Sequence, residues 1–251
     1  MNSMTENTWQ GLSESARARI ETRNYSKEGL ARRLATSGVG GGELIGGRGE
    51  LEEVWIPGVE IFQRQVYQQK GRGYFSELVR LNEGVLHDIG LAPQQWASAL
   101  MHRDSAKGFH IHPPYIPADI PAGQWFQQLF VDSPKDYSLR PYNKEQWDVM
   151  FFLTGLCEMI LIDERQGMAR RIMRFSISGD SRPGADNVAV VIPPGVGHAL
   201  RSIGNADLVM AYGTSTTFNP DWEGRISSDV EKSPLPPDWL SYLASSNSSI
   251  A

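Results

Sequence analysis

Three of the five histidines stand where their spacing could build one site. His110 and His112 alternate in the segment KGFHIH, and His198 ends the segment IPPGVGH that begins at Ile192. Successive side chains of a strand point to opposite faces, so two residues apart means one shared face for His110 and His112. The Pro/Gly turn delivers His198 at the head of another strand. Imidazole titrates at about 6.5 and can take or return a proton near neutrality. Neutral imidazoles also ligate divalent first-row metals. Both chemistries, acid–base transfer and metal binding, are open to such a trio. Nucleophilic hydrolysis is set aside: no GxSxG turn is present, and Cys157 lies in the apolar run from Phe151 to Ile162, where a packed thiol is expected. His87 and His102 lack ligand spacing and read as surface residues.

The trio needs strands to hold it. From Val54 onward the chain consists of short runs rich in β-branched and aromatic residues, broken by Gly, Pro, Asn and Asp. The expected strands are Val59 to Tyr67, Tyr74 to Leu81, Ala106 to His112, Trp147 to Leu153, Cys157 to Asp163, Ala169 to Ile177, Asn187 to Ile192, His198 to Ser202 and Asp207 to Thr216. Short strands without intervening helical patterns predict an all-β antiparallel sandwich or barrel, and the count suits a jelly roll. The proline-rich stretch 113–146 interrupts the series as a long loop at the barrel mouth, where Trp125 and Phe126 are expected to anchor it. Residues 1–53 read as a short helical arm, Ser13 to Ala35, and a glycine-rich linker, with the main domain at 54–232 and a tail at 233–251.

Bulk properties narrow the function. The chain has 251 residues, 40% of them hydrophobic, which is ample for one domain with its own core. With 24 Lys plus Arg against 29 Asp plus Glu, its formal charge of -5 gives no reason to expect nucleic acid or an anionic membrane as partner. A single cysteine rules out an internal disulfide and fits a reducing compartment. No apolar run approaches the roughly 20 residues of a membrane span. A soluble, cytoplasmic protein is expected.

The histidine strand and the PxGxxH turn resemble the two elements that the cupin superfamily brings together inside its double-stranded β-helix. Further segments resemble the dTDP-4-dehydrorhamnose 3,5-epimerase family in particular. GRGYFSELVR, Gly71 to Arg80, is similar to that family's RGxFxE strand. IPPGVGHAL is similar to its IPxGFAHGF, and MAYGTSTTFNPDWEGRI, Met210 to Ile226, to its tyrosine-bearing strand and following turn. Gln95 precedes His110 by the family's interval. The likeness runs from about Val54 to Ile226, the 113–146 insertion apart.

That resemblance implies a cupin acting on a nucleotide-linked 4-keto-6-deoxy sugar, as a homodimer and without a cofactor. Epimerisation beside a ketone needs a base, an acid on the other face and stabilisation of an enolate. By the match, His110 is the base and Tyr212 the acid. His198 polarises the sugar or orders the pocket, and Gln95, Lys107 and His112 are counted with it as substrate-binding. Arg72 and Glu77 hold the nucleotide across a subunit boundary, with Tyr74 and Phe75 packing beside them.

The chain also departs from the family pattern. Lys107 stands where the family has an arginine, and Asp148 where it has a lysine facing the sugar oxygen. A carboxylate there repels an enolate unless Lys144 pairs with it. The aspartate that supports the family's base has only Asp229 and Asp238 as local candidates, and neither fits the pattern. His112 has no family counterpart. These departures sustain two rival readings: a divalent-metal cupin, oxygenase or isomerase, using His110, His112 and His198 with Asp119 as the local candidate for a fourth ligand, and a non-catalytic sugar-binding cupin.

Overall fold

The computed structural model describes residues 18, 54–112, 145–163, 165, 171–218 and 224–225. The arm, linker, tail and most of the insertion, with Lys144, Asp119, Trp125, Phe126, Asp229 and Asp238, lie outside them.

Among the described residues the strands are β1 (Glu60–Gln63), β2 (Gln65–Gln69), β3 (Gly73–Glu77), β4 (Gln95–Met101), β5 (Ala106–Ile111), β6 (Asp148–Thr154), β7 (Leu156–Asp163), β8 (Ile172–Ser178), β9 (Val188–Ile192), β10 (Val196–Ser202), β11 (Leu208–Thr214) and β12 (Gly224–Arg225), and a helical turn, α1, spans Val85–Asp88. They form two five-stranded antiparallel sheets, ordered β1-β9-β6-β11-β4 and β12-β5-β10-β7-β8, and a separate β2-β3 hairpin. This is the jelly roll expected from the run of short strands.

Between the sheets, Met150, Phe152, Val190, Met159, Leu161 and Phe175 are among the residues of one apolar cluster. The other face of the first sheet is covered as well: Val149, Phe151, Ala189 and Val191 pack with Leu86, Ile89 and Leu91. Burial on both faces explains why DVMFF and VAVVI are continuous runs rather than alternations; every residue in both is buried.

Two expectations were wrong in detail. The single strand from Val59 to Tyr67 is broken at Arg64, whose buried guanidinium leaves the sheet edge to pair with Asp180 (Nη2 to Oδ2, 2.9 Å). Asn187 donates to the same carboxylate at 3.1 Å, and the Arg64 guanidinium lies 5.0 Å over the Phe151 ring. Strand β4 was not foreseen. In QWASALM the small or polar residues Gln95, Ala97 and Ala99 are the more sheltered set, while Trp96 and Leu100 are exposed, which inverts the usual alternation. Cys157 is fully buried, as expected, and burial pushes its thiol pKa up.

Candidate active site

The three histidines meet. His198 lies in β10 directly opposite His110 of β5, and the paired strands stack their rings with centroids 5.8 Å apart and planes 17° from parallel. His112, just past the end of β5, brings its ring centroid to 5.5 Å from that of His198. The turn before β10 depends on Gly195. Its φ of +77° is a left-handed conformation, and a Cβ there would meet Arg165 Cγ at 2.6 Å. Arg165 is itself fastened beneath the turn by Asp163 at 2.7 Å.

Lys107 reaches the same cavity although it stands three residues before His110. Pleat alternation alone would put the two on opposite faces. The β5–β10 register slips between His198↔His110 and Leu200↔Lys107, so three steps on β5 oppose two on β10. A bulge of this kind, with Gly108 at φ +133°, re-aims Lys107 onto the histidine face.

The first sheet supplies the facing wall. Asp148, at the head of β6, is buried and places Oδ2 3.0 Å from His112 Nε2 and 3.9 Å from His198 Nε2. Its other oxygen, Oδ1, accepts the Gln146 amide at 2.9 Å, and Thr216 Oγ1 donates to Gln146 Oε1 at 2.7 Å. Among the described residues, Asp148 is thus partnered by imidazoles and an amide. Tyr212 and Thr214 of β11 and Met150 of β6 continue the wall, and Phe218 lies at the rim, 61% exposed.

The electrostatics follow from this burial. Desolvation works against the Asp148 carboxylate, yet the imidazoles of His112 and His198 and the Gln146 amide outweigh it and hold its pKa below the ordinary value. Burial drives His198 the other way for a base, down to about 3, against the pull of Asp148. His198 is therefore neutral at physiological pH. It can order a ligand through hydrogen bonds but cannot serve as a cationic acid.

Six of the eight residues singled out from the sequence line the cavity: Gln95, Lys107, His110, His112, His198 and Tyr212. Gln95 also accepts the Phe218 backbone N–H at 2.6 Å, so it fastens the segment after β11. Arg72 and Glu77 do not line the cavity. Arg72 is exposed in the β2–β3 turn, and Glu77 pairs with Arg80, whose hydrogen bond lowers its pKa. The metal-ligand set is also revised. Among the described residues, the group whose donor atoms all lie within 4.8 Å of one another is His112, Asp148 and His198, with a carboxylate in place of His110. Gln146, Thr214 and Thr216 were missed, although the period-2 pattern Asp148, Met150, Phe152 marks the inward face of β6. His87 and His102 are exposed, as expected.

No protein-family model matches the chain. The spore coat polysaccharide biosynthesis protein SpsL of Bacillus subtilis (strain 168) is 27% identical over 179 residues, which span 70% of this chain and 92% of that protein. Among solved structures, a dTDP sugar isomerase from Desulfovibrio desulfuricans G20 superposes with a TM-score of 0.53 at 13% identity, covering 71% of this chain and 90% of that one. The fold is a jelly roll of the cupin type. A second structure of this shape, a double mutant of a 3'-monoepimerase from Streptomyces bikiniensis in complex with dTDP, matches with a TM-score of 0.50 and 18% identity over 72% of this chain and 76% of that one. At these identities the two structures share the cupin architecture with this chain. Among the described residues, no helix is long and apolar enough to cross a membrane.

Proposed function

We propose that this chain isomerises a nucleotide-linked 4-keto-6-deoxy sugar by removing a proton beside the ketone and returning it on the other face. One observation carries the reading: His110 and Tyr212 line one cavity from different sheets of the sandwich. Inversion at a carbon needs a base and an acid on opposite sides of it, and two facing sheets supply that arrangement. His110 is assigned the base and Tyr212 the acid. Neutral His198 and Gln95 order the sugar, and Lys107 at the bulge offers a cation to a phosphate.

Support for the substrate class comes from two sides. The motifs resemble those of the deoxysugar epimerases, and the solved structures of like shape include a dTDP sugar isomerase and a 3'-monoepimerase bound to dTDP. The similarity to a polysaccharide biosynthesis protein agrees with a role in making activated sugars. Arg72 and Glu77 stand on a hairpin away from the cavity, where Tyr67 and Phe75 stack in the open with centroids 6.2 Å apart. In this reading the hairpin serves the nucleotide site of a second copy, making the active form a homodimer.

The test is solvent deuterium incorporation into a dTDP-4-keto-6-deoxy sugar. The wild-type protein is expected to incorporate deuterium beside the ketone, and His110→Ala to abolish it. Undiminished exchange in that variant removes His110 from the base role. The absence of exchange in the wild type overturns the reading in favour of a binding protein.

A further inference from the structure

We infer that His112, held by the buried carboxylate of Asp148, is the group that stabilises the enolate oxygen, with Asp148 as its positioning partner. This rests on the isomerase reading and adds the electrophile to its base and acid.

Taking a proton from beside a ketone puts negative charge on the ketone oxygen, and catalysis needs positive charge or N–H donors fixed where that charge develops. The ionisable side chains described around the cavity are Lys107, His110, His112, Asp148, His198 and Tyr212. His110 must be neutral to act as the base, and Tyr212 returns the proton. Lys107 stands at the bulge for a phosphate. Burial keeps His198 neutral. There remain His112 and Asp148, which face each other at 3.0 Å.

Alone, a carboxylate here would oppose the enolate. The geometry removes that conflict, because both of its oxygens are engaged: Oδ1 accepts the Gln146 amide at 2.9 Å and Oδ2 meets His112 Nε2. Buried charges persist when they are paired, and the imidazolium of His112, the nearer of two imidazoles, is the charge that pairs Asp148. Side-chain exposure falls from 12% at His112 to 4% at Asp148, which sets the ring nearer the opening and the carboxylate behind it. Coulomb energy falls inversely with distance, so an oxygen against the ring feels the imidazolium more strongly than the carboxylate beyond. The backbone is fixed too. The His112 carbonyl accepts the Gly195 N–H at 2.8 Å, so the residue is held from the turn before β10 as well as from β6.

The test turns on a sign. Asp148→Asn keeps the shape of the side chain and removes its charge. If the carboxylate merely repels the enolate, that change speeds the reaction; if it holds His112, the change slows it. Slowing is expected. Deuterium incorporation into a dTDP-4-keto-6-deoxy sugar is measured with the full chain, its Asp148→Asn and His112→Gln variants, and the double variant. His112→Gln is expected to lower kcat about 10²- to 10³-fold with KM nearly unchanged. The double variant should lose no more than His112→Gln alone, because the pair acts as a unit. Nitrogen-15 nuclear magnetic resonance near neutrality, which needs no substrate, should show protons on both ring nitrogens of His112 in the wild type and on only one in Asp148→Asn.

Faster exchange in Asp148→Asn, undiminished exchange in His112→Gln, or a singly protonated His112 ring in the wild type overturns the inference and leaves the isomerase reading intact. Wild-type protein that carries the doubly protonated ring yet exchanges nothing overturns the isomerase reading, and the enolate role with it, while the ion pair stands.

Discussion

His112 Nε2 lies 3.0 Å from Asp148 Oδ2, a contact that joins the two sheets of the sandwich across the mouth of its cavity. It makes Asp148, whose bare carboxylate would repel an enolate, the partner of an imidazole.

Removing the Tyr212 hydroxyl should separate the two halves of the reaction. Tyr212→Phe is expected to lower formation of the inverted sugar by about 10²- to 10⁴-fold, the usual contribution of a positioned acid. Exchange of the proton that His110 removes should continue. Nuclear magnetic resonance of the sugar in deuterated solvent reads both at once, and parallel loss of the two would count against Tyr212 as the acid.

Acid should destabilise the protein through His198. Burial holds its folded-state pKa at about 3, while the unfolded chain titrates at about 6.5. Between those values the unfolded state binds a proton that the folded state does not, so stability is full above about 6.5 and falls as the pH is lowered, by about 1.4 kcal/mol per unit. Asp148, held below its ordinary value, adds its loss only at lower pH. Urea denaturation at pH 7.5 and 5 measures the slope, which His198→Gln should flatten.

The buried Arg64–Asp180 pair, with side chains only 2% and 0% exposed, should be costly to break from one side. Asp180→Ala leaves an uncompensated guanidinium and is expected to cost about 3–5 kcal/mol in urea denaturation. Replacing both partners with apolar residues of similar volume should cost much less.

Gly108→Ala tests the bulge. At φ +133° a side chain is strained, and its Cβ would lie 2.5 Å from Ala199 Cβ on the neighbouring strand. The variant should lose about 1–3 kcal/mol of stability. Because β5 must shift to accommodate it, deuterium exchange should drop as well, although no cavity side chain has been altered.

The meeting of the histidines was legible in part. Pleat geometry is local, so HIH had to place two rings on one face, and the Pro/Gly turn had to start a strand at His198. The jelly roll was legible because short strands rich in β-branched and aromatic residues, with turn residues between them and no helical pattern, pack as an antiparallel sandwich or barrel. Strand β4 was hidden because Ala97 and Ala99 face inward while Trp96 and Leu100 are exposed, and its apolar residues thus mark the wrong side.

Partnership was decided only in three dimensions. No spacing rule links Asp148 to His112, because they belong to different sheets and meet through the packing of the whole sandwich. Nor does any local pattern put Lys107 beside His110, since that follows from a register slip against β10. Covalent geometry repeats along the chain and can be read from residue order. Contacts between sheets depend on how distant segments share one core, and these determined which carboxylate faces the imidazoles.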